Sequence, residues 1–240
     1  MAVLAVAPAI GQTQPPKPAV AAPSKVAVVV LDPAHGGSDS GARGSGTIES
    51  DVVLDFGRAI RVALEAKGFR AVLTREGNQS PSFDDRSALV NSLPDAVFVS
   101  LHVSSTGPAG TARAYFASLP PAPSGAEANP AQAPVRRAPG LVDWHRAQEP
   151  YLDSSRRLAE LVQIQLAQQF QGSPEIPSAA AVRQLRTVAA PAIAIEISSV
   201  ASGSSKLSQM GQPLGEALAR AAAAFQQSLT EGSAQPGSAR

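Results

Sequence analysis

The chain has 240 residues and no cysteine, so its chemistry must rest on oxygen and nitrogen groups, and any metal on His, Asp and Glu. Of its three histidines, two stand in like positions. His35 follows the apolar run Val26 to Leu31, within Leu31-Asp32-Pro33-Ala34-His35-Gly36-Gly37, and His102 follows Ala96-Val97-Phe98-Val99-Ser100-Leu101. Each arrives where a buried strand ends. Glu49 closes the Gly- and Ser-rich loop after His35, and Glu196 is the only polar residue of Ala192-Ile193-Ala194-Ile195-Glu196-Ile197. Two imidazoles and one carboxylate with an open fourth position make a catalytic zinc site, because that donor set leaves enough positive charge on the ion to acidify a water. A further group must then take the proton. Glu49, in a polar loop, suits ligation. Glu196 suits proton transfer, since an apolar strand disfavours the charged carboxylate.

Each residue also has a plainer role open to it. A strand-end histidine beside glycine, taken alone, is usually a hydrogen-bonded structural residue; it is the combination with His102, Glu49 and Glu196 that points to a site. His145, in Asp143-Trp144-His145-Arg146, ends no strand and is expected at the surface or in packing. Arg75 and Arg86 have Asp84 and Asp85 close by in sequence and are expected to form structural salt bridges with them. Asp32 and Asp39 are expected to fix the loop through local hydrogen bonds.

The elements that position these groups follow from the hydrophobic pattern. Val26 to Leu31 is apolar without alternation, as in a central parallel strand covered on both faces. Val53, Phe56, Ile60 and Leu64 mark one face of a helix starting near Ser50 and stopped by Gly68. Phe69 to Thr74 reads as a strand. Ser82-Phe83-Asp84-Asp85 resembles a capping box, with Asp for the usual Glu, opening a short helix to about Leu93. Ala96 to Leu101 and Thr111 to Ala117 read as further strands. Tyr151 to Phe170 is helical through Leu158, Val162 and Leu166; Ala192 to Ile197 is a strand; Leu214, Leu218, Ala222, Phe225 and Leu229 line a last helix. This alternation predicts a single α/β domain with a twisted mixed or mainly parallel sheet flanked by helices on both faces. In such sheets ligands gather at the carboxyl ends of the strands, where His35, His102 and Glu196 fall.

Composition narrows the function. Twenty Lys and Arg against 19 Asp and Glu give a net charge of +1, without the dense basic run that a nucleic-acid phosphate backbone needs. No segment reaches the roughly 18 consecutive apolar residues of a membrane helix. Residues 1–24 are expected to lie outside the fold: Met1 to Gly11 resembles a secretory-signal remnant without a charged start, or an Ala-rich tail, and residues 12–24 form a Pro-rich linker. The folded domain is expected over 25–230, with a Pro/Ala-rich surface insertion at 120–142 and a disordered tail at 231–240.

Asp32-Pro33-Ala34-His35-Gly36-Gly37 with Asp39 and Gly41-Ala42, then Glu49, Leu73-Thr74-Arg75, Arg86, Ser100-Leu101-His102 and Ile195-Glu196 together resemble the zinc-dependent N-acetylmuramoyl-L-alanine amidases of the Amidase_3 type. The resemblance covers roughly residues 26 to 230. It implies an extracytoplasmic (periplasmic or secreted) cell-wall hydrolase acting on peptidoglycan, with Zn2+ held by His35, Glu49 and His102 and with Glu196 as catalytic acid/base. Four places depart from the family pattern: Ala34 for a usual glycine, Ser50 for lysine, Ser104 for asparagine, and Ile197-Ser198-Ser199-Val200 for the usual ending after the glutamate. Some relatives carry an insertion after the second histidine that holds the enzyme off until a protein activator binds; residues 120–142 sit in the comparable region. The other readings of the same residues are a cell-wall-binding or regulatory module that keeps the fold, and another zinc peptidase or deacetylase.

Overall fold

The computed structural model describes residues 25–120 and 143–233. Its core is a six-stranded sheet built from β1 (Val28–Pro33), β4 (Arg70–Leu73), β5 (Ala96–Ser104), β6 (Thr111–Ala117), β7 (Ser178–Ala180) and β8 (Ala192–Ser198), while β2 (Arg43–Gly44) and β3 (Thr47–Ile48) make a small separate ribbon. The strand order is β4-β1-β5-β8-β6-β7, and every pairing is parallel except that of β6 with β8. The mixed, mainly parallel sheet expected from the apolar runs is therefore present.

Side chains alternate between the two faces of this sheet, and each face is covered differently. Val29, Leu31, Val97, Val99, Leu101, Ile193, Ile195 and Ile197 pack against α1 (Glu49–Glu65), α3 (Leu152–Gln169) and α5 (Ser204–Ser233). The helical faces are those the periodicity marks: Val53, Phe56, Ile60 and Leu64 on α1, Leu158, Val162 and Leu166 on α3, and Leu214, Leu218 and Phe225 on α5, all buried. Each such side chain contributes roughly 1.5–3 kcal/mol by leaving water. Helices α1 and α5 approach closely at Gly215, where a Cβ would stand 3.0 Å from the Ala59 carbonyl oxygen.

The opposite face carries Val28, Val30, Phe98, Ala192 and Ala194, covered by the short helices α2 (Phe83–Asn91) and α4 (Arg183–Arg186) through Val90 and Leu185. Helix α2 opens on the expected capping box, with the Ser82 and Asp85 side chains each bonded to the other's backbone N–H. These two helices are too short to roof the whole face. The carboxyl ends of β1, β5 and β8 carry Asp32, Ser100, His102 and Glu196 on that same face, with Arg86 of α2 against Asp32 and Gln184 of α4 against His102.

Topology places the opening at a particular strand pair. From β1 the chain crosses through α1 to β4 on one side, then returns through α2 to β5 on the other, with the two helices on opposite faces. The gap between β1 and β5 is thus a topological switch point, the place where open α/β sheets bind ligands.

Several elements differ from the sequence expectation. Strand β1 starts and ends two residues later than Val26 to Leu31, because its pairing with β5 runs on to Pro33 opposite Leu101. The helix expected near Ser50 begins at Glu49, which is therefore a helix residue and not a loop residue. Helix α5 starts at Ser204, ten residues before the apolar face first becomes periodic at Leu214, and runs through Pro213 to Ser233. Strand β7 and helix α4, of three and four residues, are too short to show a period in the sequence. His145 lies exposed in a short 3-10 turn, as expected of a surface residue. The expectations for residues 1–24, for the insertion at 120–142 beyond residue 120, and for the tail beyond Ser233 fall outside the described residues.

Candidate metal centre at the switch point

Three of the four predicted residues meet. One ligand atom each from His35, Glu49 and His102 lie within 4.8 Å of one another. The Glu49 Oε1 atom stands between the rings, 3.1 Å from His35 Nε2 and 3.3 Å from His102 Nδ1. The two imidazoles meet edge to face, with centroids 5.6 Å apart and planes at 90°.

Each member is held by a local device. His35 follows β1 at a left-handed φ of 63°, an uncommon conformation for a residue with a side chain, of the kind concentrated at functional sites. Its Nδ1 is 2.8 Å from Asp39 Oδ2, which leaves Nε2 turned toward Glu49. Glu49 begins α1 and is buried, yet both of its oxygens accept backbone N–H bonds, Oε1 from Val103 at 2.9 Å and Oε2 from Ala42 at 2.7 Å. Burial pushes its pKa up, but the hydrogen bonds from His102, His35, Ala42 and Val103 outweigh this and hold it well below the usual carboxylate range. His35 is pushed up to about 9, chiefly by its hydrogen bond to Glu49; burial opposes the rise and Asp39 adds to it.

Gly41 explains why the loop between His35 and Glu49 carries a glycine there. Its φ is +63°, and a Cβ would stand 2.5 Å from Glu49 Oε2 and 2.7 Å from the His35 ring. No side chain fits without displacing the cluster. Asp39 meets its expectation of fixing this loop, accepting from the Gly41 N–H at 3.1 Å as well as bonding His35.

The arginines depart from expectation. Arg86 pairs with Asp32 and not with Asp84 or Asp85, and it also donates to the carbonyls of Pro33, His35 and Pro81. Arg75 bonds carbonyls only: Pro33, Ala34, Ser50 and Gly77, at 2.7 to 2.9 Å. Burial, with Arg86 nearby, lowers its pKa. The physical reason is burial: guanidinium groups taken out of water must be satisfied on all sides, and the carbonyls of Pro33, Ala34 and His35 accept from them. Asp32 is likewise no loop fastener. It is fully buried in β1 and accepts from Arg86, from the Thr74 hydroxyl at 2.7 Å and from the Ser100 hydroxyl at 2.9 Å.

Glu196 stands apart from the cluster but next to it. It pairs in register with His102 across β5 and β8, and both line a recess with Tyr115, Val182, Arg183 and Gln184. The expected full desolvation is absent, since Glu196 is only half-buried in the wall of that recess. Arg183 and Gln184 were missed by the sequence reading, because the four-residue helix that carries them shows no signal of its own; Gln184 reaches His102 Nε2 at 3.4 Å.

Comparison with known proteins gives the cluster a context. The Amidase_3 family model, described as N-acetylmuramoyl-L-alanine amidase, matches residues 29–221. The chain belongs to the Amidase_3 family. Among relatives of this Amidase_3 chain, the sporulation-specific N-acetylmuramoyl-L-alanine amidase of Bacillus subtilis is 38% identical over 84 residues, covering 34% of this chain and 33% of that protein. The amidase AmiA of Escherichia coli is 38% identical over 92 residues, covering 38% and 32%. Each match thus spans about a third of the relative's length. Among solved structures, AmiC2 of Nostoc punctiforme superposes with a TM-score of 0.62 at 24% identity over 86% of this chain and 99% of its own. Ami1 of Mycobacterium smegmatis gives 0.62 at 21% over 87% and 100%. These likenesses show that the Amidase_3 chain has the amidase fold.

Three of the departures from the family pattern can be placed in the structure. Ala34 is buried and has no left-handed φ, so the position does not require glycine. Ser50 is buried with its carbonyl bound to Arg75, where a lysine side chain would have to leave the core. Ser104 donates to the Thr106 carbonyl and lies 3.3 Å from Ser198 Oγ, its partner across β5 and β8.

Proposed function

We propose that this chain is a zinc-dependent N-acetylmuramoyl-L-alanine amidase that hydrolyses the amide between the lactyl group of N-acetylmuramic acid and L-alanine of the peptidoglycan stem, acting outside the cytoplasm. The observation that carries the reading is the convergence of His35, Glu49 and His102 on one point, with Glu196 on the neighbouring strand. Membership of the family supports the substrate class.

The donor set suits zinc. Each imidazole keeps one nitrogen for an outer partner and turns the other inward, and the backbone N–H groups of Ala42 and Val103 help hold the Glu49 carboxylate in its charged form. A divalent ion bound there supplies Lewis acidity to the scissile carbonyl and to the attacking water. The protein residues do the rest. Glu196 takes a proton from the water as its oxygen bonds to the carbonyl carbon, then delivers that proton to the L-alanine nitrogen as the C–N bond breaks. A half-buried carboxylate in the wall of the recess suits this exchange, since it keeps access to water and substrate together. The recess walls, including Arg183 and Tyr115, would receive the stem peptide. Among the described residues no helix is long and apolar enough to cross a membrane.

The test is dye release from labelled peptidoglycan by the wild type, Glu196→Ala and His102→Ala, with zinc content measured on each. Release by the wild type alone supports the reading, and equal release by all three overturns it. Mass spectrometry of the products decides the bond: an amidase frees intact stem peptides with an L-alanine amino terminus, whereas a peptidase or deacetylase does not.

A further inference from the structure

The two histidines of the cluster turn opposite nitrogens toward Glu49: His35 uses Nε2 and His102 uses Nδ1. The outer nitrogen of His35 meets a carboxylate, Asp39, which can only accept and therefore keeps a proton on Nδ1. The outer nitrogen of His102 meets no carboxylate. It lies 3.3 Å from the Ser100 hydroxyl, a group able to donate or accept, and 3.4 Å from the Gln184 amide nitrogen. What decides the direction of the Ser100 contact lies one strand away.

Asp32 stands opposite Ser100 in register across β1 and β5, and both are fully buried. The single hydroxyl proton of Ser100 is given to Asp32 Oδ2 at 2.9 Å. The other oxygen, Oδ1, is saturated by Arg86 and by the Thr74 hydroxyl. Arg86, paired with Asp32, is held in place by the carbonyls of Pro33, His35 and Pro81, so the carboxylate stays an acceptor in this orientation. With its proton committed, Ser100 offers His102 only a lone pair.

We propose that Ser100, fixed by the Asp32–Arg86 pair, is a positioning residue that keeps the His102 proton on Nε2 and so presents the bare Nδ1 to the metal. The chain Arg86, Asp32, Ser100, His102 does for the second histidine what Asp39 does directly for the first. The same assignment sets Gln184: with a proton on His102 Nε2, the carbonyl oxygen of its side-chain amide is the end that faces the ring. The arrangement places the charged acceptor in the sheet, where water does not compete, and interposes a neutral hydroxyl between it and the ring. Arg86 also donates to the His35 carbonyl, so one buried guanidinium steadies both histidines.

This inference rests on the zinc reading, and its test separates the two. Zinc affinity is measured by chelator competition on the full chain for wild type, Ser100→Ala and Ser100→Thr, and the ring tautomers of the zinc-loaded wild type are read from histidine 15N chemical shifts. The expected result is protonated Nε2 and metal-bound Nδ1 on His102, a loss of zinc affinity of about 10–100-fold in Ser100→Ala, and recovery of most of that loss in Ser100→Thr. Far-UV dichroism of the metal-free variants reports whether each still folds. Unchanged zinc affinity in Ser100→Ala overturns the proposal while leaving the zinc site standing, as does a His102 proton on Nδ1 in the wild type. Failure of the wild type to take up zinc at all overturns the metal reading and this inference with it. The tautomer measurement needs no variant, so it decides even if Ser100→Ala is misfolded.

Discussion

His102 and Glu196 face each other residue for residue across β5 and β8, on the side of the sheet that the short helices α2 and α4 cover only in part. The pairing puts a half-buried carboxylate beside the cluster without making it a member of it. A group in that position can move protons while the other three hold an ion. Glu196→Gln keeps the shape and removes the base. Peptidoglycan hydrolysis should fall by roughly 10^2–10^4-fold in turnover, with zinc content and thermal midpoint unchanged. Steady-state turnover alongside metal analysis checks it; retained turnover would remove Glu196 from the mechanism.

Gly41→Ala should damage the site through the backbone. The new Cβ meets Glu49 and His35 closer than atoms can approach, and the residue is held at a φ that costs a non-glycine residue roughly 1 kcal/mol or more. Urea unfolding should show a stability loss of about 1–3 kcal/mol, and zinc titration should show weaker binding. Gly46, whose Cβ would meet nothing within 4 Å, is the control: Gly46→Ala pays only for its positive φ and should leave zinc binding intact.

Removing Arg86 leaves Asp32 buried without its charged partner. Arg86→Met should lower stability by about 3–5 kcal/mol by denaturant unfolding, the usual cost of breaking a buried pair from one side. The exposed pair Arg58 with Asp55 is the comparison, and Arg58→Met should change stability by less than about 1 kcal/mol. Equal effects at the two positions would mean that Asp32 is held by Thr74 and Ser100 alone.

The metal-free protein should also show a definite pH dependence. His35 is raised from 6.5 to about 9 by its hydrogen bond to Glu49. A folded pKa above the unfolded one stabilises the fold in full below the unfolded value, and the gain is lost as pH rises through the folded value. The thermal midpoint of chelator-treated protein should therefore decline between pH 6.5 and about 9, and the decline should be smaller in His35→Ala. Glu49 works in the other sense: lowered in the fold, it stabilises above 4.5, with the gain lost toward low pH. Because zinc requires the unprotonated imidazole, zinc uptake near neutral pH should release protons, measurable by calorimetry in buffers of different ionisation enthalpy.

The candidate site residues were legible in the chain because each marks a change of pattern. His35 and His102 interrupt β-branched runs, and Glu196 is the one polar residue in an apolar strand, so periodicity alone put them at strand ends. The order of strands and helices followed for the same reason, since long buried faces such as Val53 to Leu64 leave a repeating signal. What the sequence could not show was pairing at a distance. Arg86 has Asp84 and Asp85 beside it in the chain, yet its partner is Asp32, because the turn of α2 and the seating of β1 bring a buried carboxylate nearer than the exposed ones. Gln184 lies on a helix too short to have a period, and reaches His102 only because α4 folds over the end of the sheet. Which nitrogen each histidine turns inward was likewise decided by tertiary contacts, through Asp39 on the loop and Ser100 on the strand. The amino-acid order determined which groups are present and which strand ends carry them. Only the packing of β1, β5 and β8 side by side, with a thin cover of short helices, determined that they meet, which protons they keep, and that Glu196 remains open to water.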